Sequence, residues 1–332
     1  TFAALYALYA LKRLGVAPKN RIRIILGTNE ETGWECVRHY FQKEPYPDFA
    51  ITPDSVFPGV YAEKGILRLD LCASIDGVSL PGLTPIAPNQ ILIKGGTTPN
   101  VVPKETKLHI LSNNPAMIDQ MLHHFRAQNQ ATLTWTLNTT GEYEVLFTGK
   151  PFHAAHPDEG INSIAACLDF CRLLGLSPQL KERLDCLWDA IGYDDTGKKS
   201  RISGQDGVSG SLTMNLGTIV CDESRLKATL DIRYPIFFDK KRIVSQLEGV
   251  FNGFTISENS SLDPLYVDPE GPQMRQLMRI YRDFTGESLQ PKAIGGGTYA
   301  RAVPLGICYG PLFPGEESYA HQVDERKSIA SL

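Results

Sequence analysis

Two adjacent carboxylates, Glu30 and Glu31, lie in the segment GTNEETGWE at residues 27–35. The preceding run RIRIIL, at residues 21–26, has the apolar and β-branched content that is typical of a buried strand. Neighbouring carboxylates repel each other and resist desolvation. They therefore persist at a strand end when a cation lies beside them, or when they are solvated on a loop. The first alternative predicts a metal site.

Two further residues could complete such a site. Asp54, in ITPDSVFPG, follows a short predicted strand at residues 48–52, and open α/β sheets bind ligands at the carboxyl ends of their strands. His321, in ESYAHQVDE, supplies an imidazole. Carboxylate oxygen and imidazole nitrogen are ligands of Zn²⁺ and Mn²⁺, provided that the fold brings these residues together. An aspartate after proline is also a common turn residue, and a single histidine is often a surface or packing residue.

Composition indicates an ordinary globular protein. The chain has 332 residues, a formal net charge of -4, 42% hydrophobic residues and 21% charged residues, which is enough for two domains. This charge predicts no nucleic-acid partner. Because no run of about 18 apolar residues and no signal peptide is found, we expect no membrane partner and a cytoplasmic location. The seven cysteines lie mostly in apolar stretches without CxxC spacing, which favours reduced core thiols over disulfides or a zinc-thiolate site.

The elements that must position the candidate residues predict an α/β sheet followed by a different domain. The first part alternates helical and strand patterns, including the helix FAALYALYALKRLGV, a helix at about residues 31–42 and a strand at 65–73. Longer β-rich segments alternate with helices from about residue 67, which predicts an α+β domain. The polar, proline-bearing stretch at residues 256–272 is interpreted as a connector back to the first domain.

The predicted organisation is therefore an insertion of one domain into another. Its parts are residues 1–66 and 261–332 for the first domain and residues 67–260 for the inserted one.

Seven motifs in series resemble the M20 metallopeptidases, most closely the PepV-like dipeptidase branch. They are GTNEETGWE, TPDSVFPG followed by EKG, PNVVP, GKPFHAAHPDEGIN, LDIRYP, IGGGTYAR and FPGEESYAHQVDE. Each motif alone is weak, but together they follow the family's order over nearly the whole chain. The resemblance implies an α/β zinc-exopeptidase-type catalytic domain with an inserted α+β, ferredoxin-like lid domain. It also implies that a metal-activated water removes the N-terminal residue of a dipeptide.

The resemblance assigns roles in the catalytic domain. Glu30 matches the general base, Glu31 a ligand of one metal, Asp54 a ligand of the other, and His321 the imidazole that accompanies Glu31. Adjacent residues at a helix start point roughly 100° apart, so one carboxylate can face the cation and the other the water. The implied cofactor is two Zn²⁺ ions in a complete site, with Mn²⁺ or Co²⁺ as alternatives.

The lid motifs add residues that handle the substrate. His153 matches the imidazole that donates to the oxyanion, although without the family it is a loop histidine. Arg233 matches the arginine that holds the dipeptide carboxylate, and a guanidinium within an apolar strand is costly without such a partner. Asn100 resembles a substrate-contacting asparagine and is equally typical of a turn. Gly296 and Thr298 match a loop beside the active site, where glycine lets backbone approach the substrate.

In the family, another metal-binding histidine and a bridging aspartate should precede the first helix. Neither is present in this sequence, in which that helix begins directly after Thr1. We therefore expect a fragment, with less than one firmly bound ion and no turnover for residues 1–332 alone. An M20-type amino-acid N-deacylase and a non-catalytic peptide-binding remnant remain the alternatives. A lid of about 190 residues is large enough for two ferredoxin-like modules, so we expect the full-length protein to be a monomer.

Overall fold

The chain divides into two compact units. A computed structural model describes residues 2–30, 33–75, 86–87, 90–112, 114–319 and 324–331. Unit 1 comprises Thr1–Glu63 and Leu265–Leu332, and unit 2 comprises Lys64–Pro264. The assignment of catalytic and lid roles to these units stays a prediction.

Helices and strands alternate through both units. The α-helices of the described residues are α1 (Phe2–Arg13), α2 (Glu35–Phe41), α3 (Pro115–Arg126), α4 (Ser163–Cys171), α5 (Pro178–Ala190), α6 (Lys240–Val250) and α7 (Pro272–Thr285). The strands are β1 (Ala50–Thr52), β2 (Ser55–Val56), β3 (Val60–Glu63), β4 (Gly65–Ser74), β5 (Ile91–Gly95), β6 (Glu105–Leu111), β7 (Thr132–Leu137), β8 (Glu142–Thr148), β9 (Gln205–Asp206), β10 (Gly210–Ser211), β11 (Thr213–Cys221), β12 (Arg225–Tyr234), β13 (Thr255–Leu262), β14 (Leu265–Tyr266), β15 (Lys292–Ile294), β16 (Gly306–Cys308) and β17 (Pro311–Leu312). None of the helices in the described ranges is long and apolar enough to cross a bilayer.

Unit 2 is built on an antiparallel sheet of eight strands, in the order β13-β4-β12-β11-β5-β6-β8-β7. Successive side chains of a strand point to opposite faces, and in β6 the buried residues Thr106, Leu108 and Ile110 therefore share one face. Apolar residues of α3 to α6 belong to the same core as the sheet, for example Leu122 of α3 and Leu247 of α6. This core fixes the strands that carry the candidate site.

Unit 1 has a smaller mixed sheet in the order β1-β16-β3-β14, with β15 also paired to β3. The pairs β1–β16 and β3–β15 are parallel, and a separate parallel pair joins β2 to β17. Its core includes Met274 and Leu277 of α7 together with Ile307 of β16. The sheet brings the segment around residue 54 beside the segment around residue 309.

Two predictions about local structure were wrong. Residues 21–26 form no strand, and Ile22 and Leu26 are 50% and 62% exposed, because no strand of the described residues pairs with this apolar run. The predicted connector at 256–272 contains most of β13, which pairs with β4 at the edge of the sheet. Most residues of β13 are exposed, so its polar composition resembles that of a loop.

Candidate active site

Asp54 lies between two strand pairings of unit 1. On one side Thr52 is the register partner of Cys308. On the other side the backbone N–H of Ser55 donates to the carbonyl of Gly310 at 2.7 Å. Residue 54 is itself exposed. The backbone on both sides of this exposed carboxylate is therefore fixed by strand pairing.

The glycine-rich loop, IGGGTYAR at residues 294–301, contacts the buried carboxylate of Glu63, which is 0% exposed. Thr298 donates to Glu63 twice, from its hydroxyl at 2.7 Å and from its backbone N–H at 3.2 Å. Arg301 Nε donates to the same carboxylate at 2.5 Å, and its Nη2 donates to the carbonyl of Gly296 at 2.8 Å. Gly296 and Thr298, the two predicted loop contacts, are thus held by one ion pair.

Cys308 lies in β16, beside the strand that precedes Asp54, and is the register partner of Thr52. Burial is the main cause that raises the pKa of the Cys308 thiol to about 12, so the group is a neutral thiol at neutral pH. The buried thiol therefore serves as a packing contact.

The segment that carries Glu30 lies against Tyr299, the next residue of the same loop. The Cys36 sulfur is 3.1 Å from the Tyr299 hydroxyl and accepts from the backbone N–H of Thr28 at 3.3 Å. Burial, the Cys36 contacts and the charge of Glu30 raise the pKa of Tyr299. Burial opposes the Cys36 thiolate, but hydrogen bonds from Tyr299 and from backbone N–H groups lower the pKa of Cys36 to about 7. Glu30 thus lies close to the loop at residues 296–301.

The described donors fit one part of a divalent metal site. Glu31 and His321, two of the predicted ligands, lie outside the described residues. Within the described ranges no three His, Cys, Asp or Glu side chains are grouped so that they could hold an ion. Asp54, together with the half-buried Glu30, offers carboxylate oxygen, which is a ligand type that Zn²⁺ and Mn²⁺ accept.

In unit 2, His153 and Asn100 lie next to each other. The backbone N–H of Ala154 donates to the Asn100 carbonyl at 2.9 Å, and a bridge of extended backbone pairs Val101 with His153. Thr213 Oγ1 donates to the Ala154 carbonyl at 3.2 Å. His153 is exposed, and its Nδ1 accepts from the N–H of Ala155 at 3.2 Å. Because Nδ1 accepts, the neutral ring carries its proton on Nε2, which can donate to a ligand.

Asn215 is a site residue that the sequence analysis missed. Its amide, in a residue that is 2% exposed, donates to the carbonyls of Pro99 at 2.9 Å and Val101 at 3.0 Å. Asn162, which caps α4 by accepting from Ile164 and Ala165, donates to the Asn215 side-chain oxygen at 3.3 Å. These bonds fix the backbone on both sides of Asn100.

Arg233 is paired with another strand residue. In β12 it is the register partner of Thr213, so it belongs to the same end of the sheet as His153. Its Nε and Nη2 donate to the two oxygens of Asp231, at 2.5 and 3.1 Å. Arg68 Nε donates to the same carboxylate at 2.8 Å. Asp231 is 0% exposed, and its two guanidinium partners compensate for the solvation that the buried carboxylate loses.

Lys64 adds positive charge to this part of unit 2. Its ammonium donates to the carbonyl of Ser211, two residues before Thr213. Burial lowers the pKa of Lys64, the charge of Asp206 opposes this, and the charge of Arg233 lowers it further. Lys64 and Arg233 thus place two basic side chains at this end of the sheet, near the carboxylates of Asp206 and Asp231.

The partner residues that the sequence analysis missed differ in whether a local sequence pattern could have revealed them. Asp231 and Arg233 are two residues apart in a strand, which places them on one face and could have revealed the pair. Glu63 and Arg301 are 238 residues apart, and no local pattern connects them.

The geometry can be compared with known proteins. A family model described as Peptidase family M20/M25/M40 matches residues 1–332. The chain belongs to this family. The predicted family and fold class are thereby confirmed.

Named relatives are longer than this chain. Putative dipeptidase YtjP of Bacillus subtilis (strain 168) is 32% identical over 341 residues, which cover 100% of this chain and 71% of that protein. Putative dipeptidase SH1171 of Staphylococcus haemolyticus (strain JCSC1435) is 30% identical over 331 residues, covering 98% of this chain and 69% of that protein. A solved tripeptidase structure from Staphylococcus aureus has a TM-score of 0.49 at 14% identity, covering 99% of this chain and 65% of that one. The chain spans about two thirds of the length of these proteins.

Proposed function

We propose that the protein is a metal-dependent dipeptidase of the PepV-like branch, which removes the N-terminal residue of a dipeptide. The observation that carries the proposal is the convergence of Asn100, His153 and Arg233 at one end of the sheet of unit 2. Membership of a peptidase family and relatives named as dipeptidases support it. We further propose a cytoplasmic monomer that binds neither nucleic acid nor membrane.

Unit 1 is proposed to bind the metal ions and to activate the attacking water. Glu31, Asp54 and His321 would hold divalent ions, with Zn²⁺ preferred and Mn²⁺ or Co²⁺ possible substitutes. Bound ions supply Lewis-acid polarisation and a nucleophile at neutral pH. Glu30 is proposed to take a proton from the water and pass it to the leaving amine. Gly296 and Thr298 contribute a loop that backbone of a peptide can approach.

Unit 2 is proposed to hold the peptide. His153 can donate its Nε2 proton to the oxyanion that forms during attack on the peptide carbonyl. Arg233, with Lys64 nearby, provides the positive charge for the dipeptide carboxylate. Asn100 would contact the substrate from the backbone segment that Asn215 holds.

The proposal is tested by assaying residues 1–332, alone and preceded by the N-terminal segment of a relative, with added Zn²⁺ or Mn²⁺. The substrates are Ala- and Asp-headed dipeptides beside N-acetyl and N-succinyl amino acids. We expect dipeptide hydrolysis by the longer protein and its loss in Glu30→Gln. Glu44→Gln, which alters an exposed carboxylate of the same unit, should keep the activity. Preferential cleavage of the N-acyl amino acids would instead identify a deacylase.

A further inference from the structure

The segment at residues 98–102, which carries Asn100, is held against strand β11. The buried side-chain amide of Asn215 in this strand donates to the two carbonyls on either side of Asn100, at 2.9 and 3.0 Å. Gly217 of the same strand lies so near the segment that a Cβ added there would be 2.5 Å from the Pro99 carbonyl oxygen. The segment therefore packs directly on the strand backbone, and its carbonyls depend on one side chain for their hydrogen bonds.

A series of hydrogen bonds that begins at helix α4 fixes the orientation of the Asn215 amide. The N–H groups of Ile164 and Ala165 donate to the Asn162 side-chain oxygen at 2.9 and 3.1 Å. The Asn162 amide nitrogen then donates to the Asn215 side-chain oxygen at 3.3 Å and to the Leu216 carbonyl at 3.0 Å. Because an N–H group can only donate, each amide is oriented by the one before it, and the Asn215 nitrogen faces the segment.

The same segment is paired with the turn that carries His153. The N–H of Ala154 donates to the Asn100 carbonyl at 2.9 Å, and the N–H of Val102 donates to the Phe152 carbonyl at 2.8 Å. These two hydrogen bonds lie on either side of His153. A displacement of the segment must therefore also displace the His153 backbone.

We propose that Asn215 is a positioning residue, which places both Asn100 and His153. Its two hydrogen bonds hold the Asn100 segment directly, and the backbone pairing transmits that position to His153. The roles of these two side chains toward a dipeptide rest on the proposed function, whereas the positioning does not. Asn215 acts through other residues, since its own amide is paired with protein atoms.

The first test measures amide hydrogen exchange in residues 1–332 by mass spectrometry of proteolytic peptides. Asn215→Leu keeps a side chain of similar size and removes both donors. The peptides that contain Val102 and Ala154 should exchange at least about fivefold faster, because two buried hydrogen bonds are lost and the segment opens more often. The peptide that contains Ile75, which follows β4 at the opposite end of the sheet, is the internal reference.

Ser200→Ala is the matched control, because the buried Ser200 hydroxyl donates to the Ala190 carbonyl at 2.7 Å elsewhere in unit 2. It should leave the exchange of both peptides unchanged. Unchanged rates relative to the Ile75 peptide in folded Asn215→Leu would overturn the inference. If Asn215→Leu does not fold, Asn162→Asp decides, since it keeps the oxygen that caps α4 and removes the donor to Asn215. The same peptides should then exchange faster, and unchanged rates would again overturn the inference.

The second test measures kcat/KM for dipeptides, with residues 1–332 preceded by the N-terminal segment of a relative. Asn215→Leu, or Asn162→Asp if the first variant does not fold, should lower kcat/KM about ten- to a hundredfold, because a small displacement of a reacting group is costly. Ser200→Ala should retain kcat/KM.

The same substitution should cost less in the His153→Ala background, because effects at coupled residues are not additive. An equal fold-loss in both backgrounds, or no loss in a variant whose exchange is faster, would refute the connection to His153. Failure of the wild type to cleave dipeptides counts against the proposed function instead, and the exchange rates then decide the positioning role.

Discussion

Glu63 in unit 1 and Asp231 in unit 2 are both fully buried carboxylates that pair with arginine, yet they organise different kinds of structure. Asp231 lies between two guanidiniums on neighbouring strands, since its register partner across β4 and β12 is Arg68. Glu63 accepts from one guanidinium and from the hydroxyl and N–H of Thr298, which belongs to a loop.

The difference shows what each charge must do. The ladder of hydrogen bonds in the eight-stranded sheet already fixes the backbone around Asp231, so this carboxylate chiefly stabilises the cations beside it. The glycine-rich loop has no such ladder, and its three side-chain and backbone bonds to Glu63 take its place. A buried carboxylate thus holds two guanidiniums in the sheet in the first case and a loop backbone in the second.

The largest expected effect comes from removing the carboxylate shared by two arginines. Asp231→Ala leaves the buried Arg233 without its bidentate partner, and breaking a buried pair costs about 3–5 kcal/mol. We expect the free energy of unfolding, measured with urea, to fall by about that amount. Asp169→Asn, which breaks a surface pair with Arg172, should cost about 1 kcal/mol at most. Similar losses in the two variants would show that Asp231, Arg68 and Arg233 do not form a buried charge network.

The next effect separates activity from stability in the same unit. His153 is exposed, and its ring accepts a hydrogen bond from the Ala155 N–H, so His153→Ala should lower the free energy of unfolding by only about 0.5–1.5 kcal/mol. Loss of an oxyanion donor should lower kcat about 100- to 1,000-fold in the full-length enzyme. His156→Ala, which removes a second exposed imidazole of the same turn, is the matched control and should retain kcat. A comparable fall in both variants would mean that the turn, and not the His153 ring, is required.

A smaller effect tests whether Arg233, which is paired with Asp231, binds the carboxylate of a dipeptide. Arg233→Ala should weaken the handling of free-acid dipeptides about ten- to a hundredfold, which corresponds to a charge-assisted pair worth about 1.5–3 kcal/mol. Amidated dipeptides should lose little further. Arg68→Ala removes the other guanidinium from the same carboxylate and should leave the ratio of free-acid to amidated kcat/KM unchanged. Equal losses on both substrates would assign Arg233 a bracing role alone.

Much of the fold follows from patterns within one segment. The strands LDIRY and TMNLGTIVC and the amphipathic helix α7 carry local periodicity that the structure retains. Residues 21–26 and β13 show the limit, because a strand exists only where a partner strand satisfies its backbone groups. An apolar run without a described partner forms no strand, whereas a polar edge segment that has one does.

The candidate site shows the same limit. The motifs nominate Asn100, His153 and Arg233 individually, and strand register then places them at one end of a sheet. The groups that hold these residues are distant in sequence. Asn215 is more than 100 residues from the carbonyls to which it donates, and such a contact leaves no local pattern. The metal-ligand set stays a prediction, since Glu31 and His321 lie outside the described residues.

The smallest expected effect probes the loop that Glu63 holds, through the thiol next to Tyr299. Burial opposes ionisation of Cys36, but hydrogen bonds from Tyr299 and from the backbone N–H groups of Thr28 and Asn29 lower its pKa from 9.0 to about 7. The rate of alkylation by iodoacetamide should therefore rise through a midpoint at about pH 7, since the thiolate is the nucleophile. Because the pKa is lowered on folding, the ionised thiol stabilises the protein above pH 9.0, and this contribution is lost as the pH falls through about 7.

Tyr299→Phe removes one donor, so the midpoint should move up and the rate at neutral pH should fall. Cys186, a partly buried thiol whose pKa is raised by burial, is the internal control, and its rate should be the same in both proteins. A midpoint that stays at the same pH in Tyr299→Phe would show that the tyrosine does not hold the Glu30 segment through this contact.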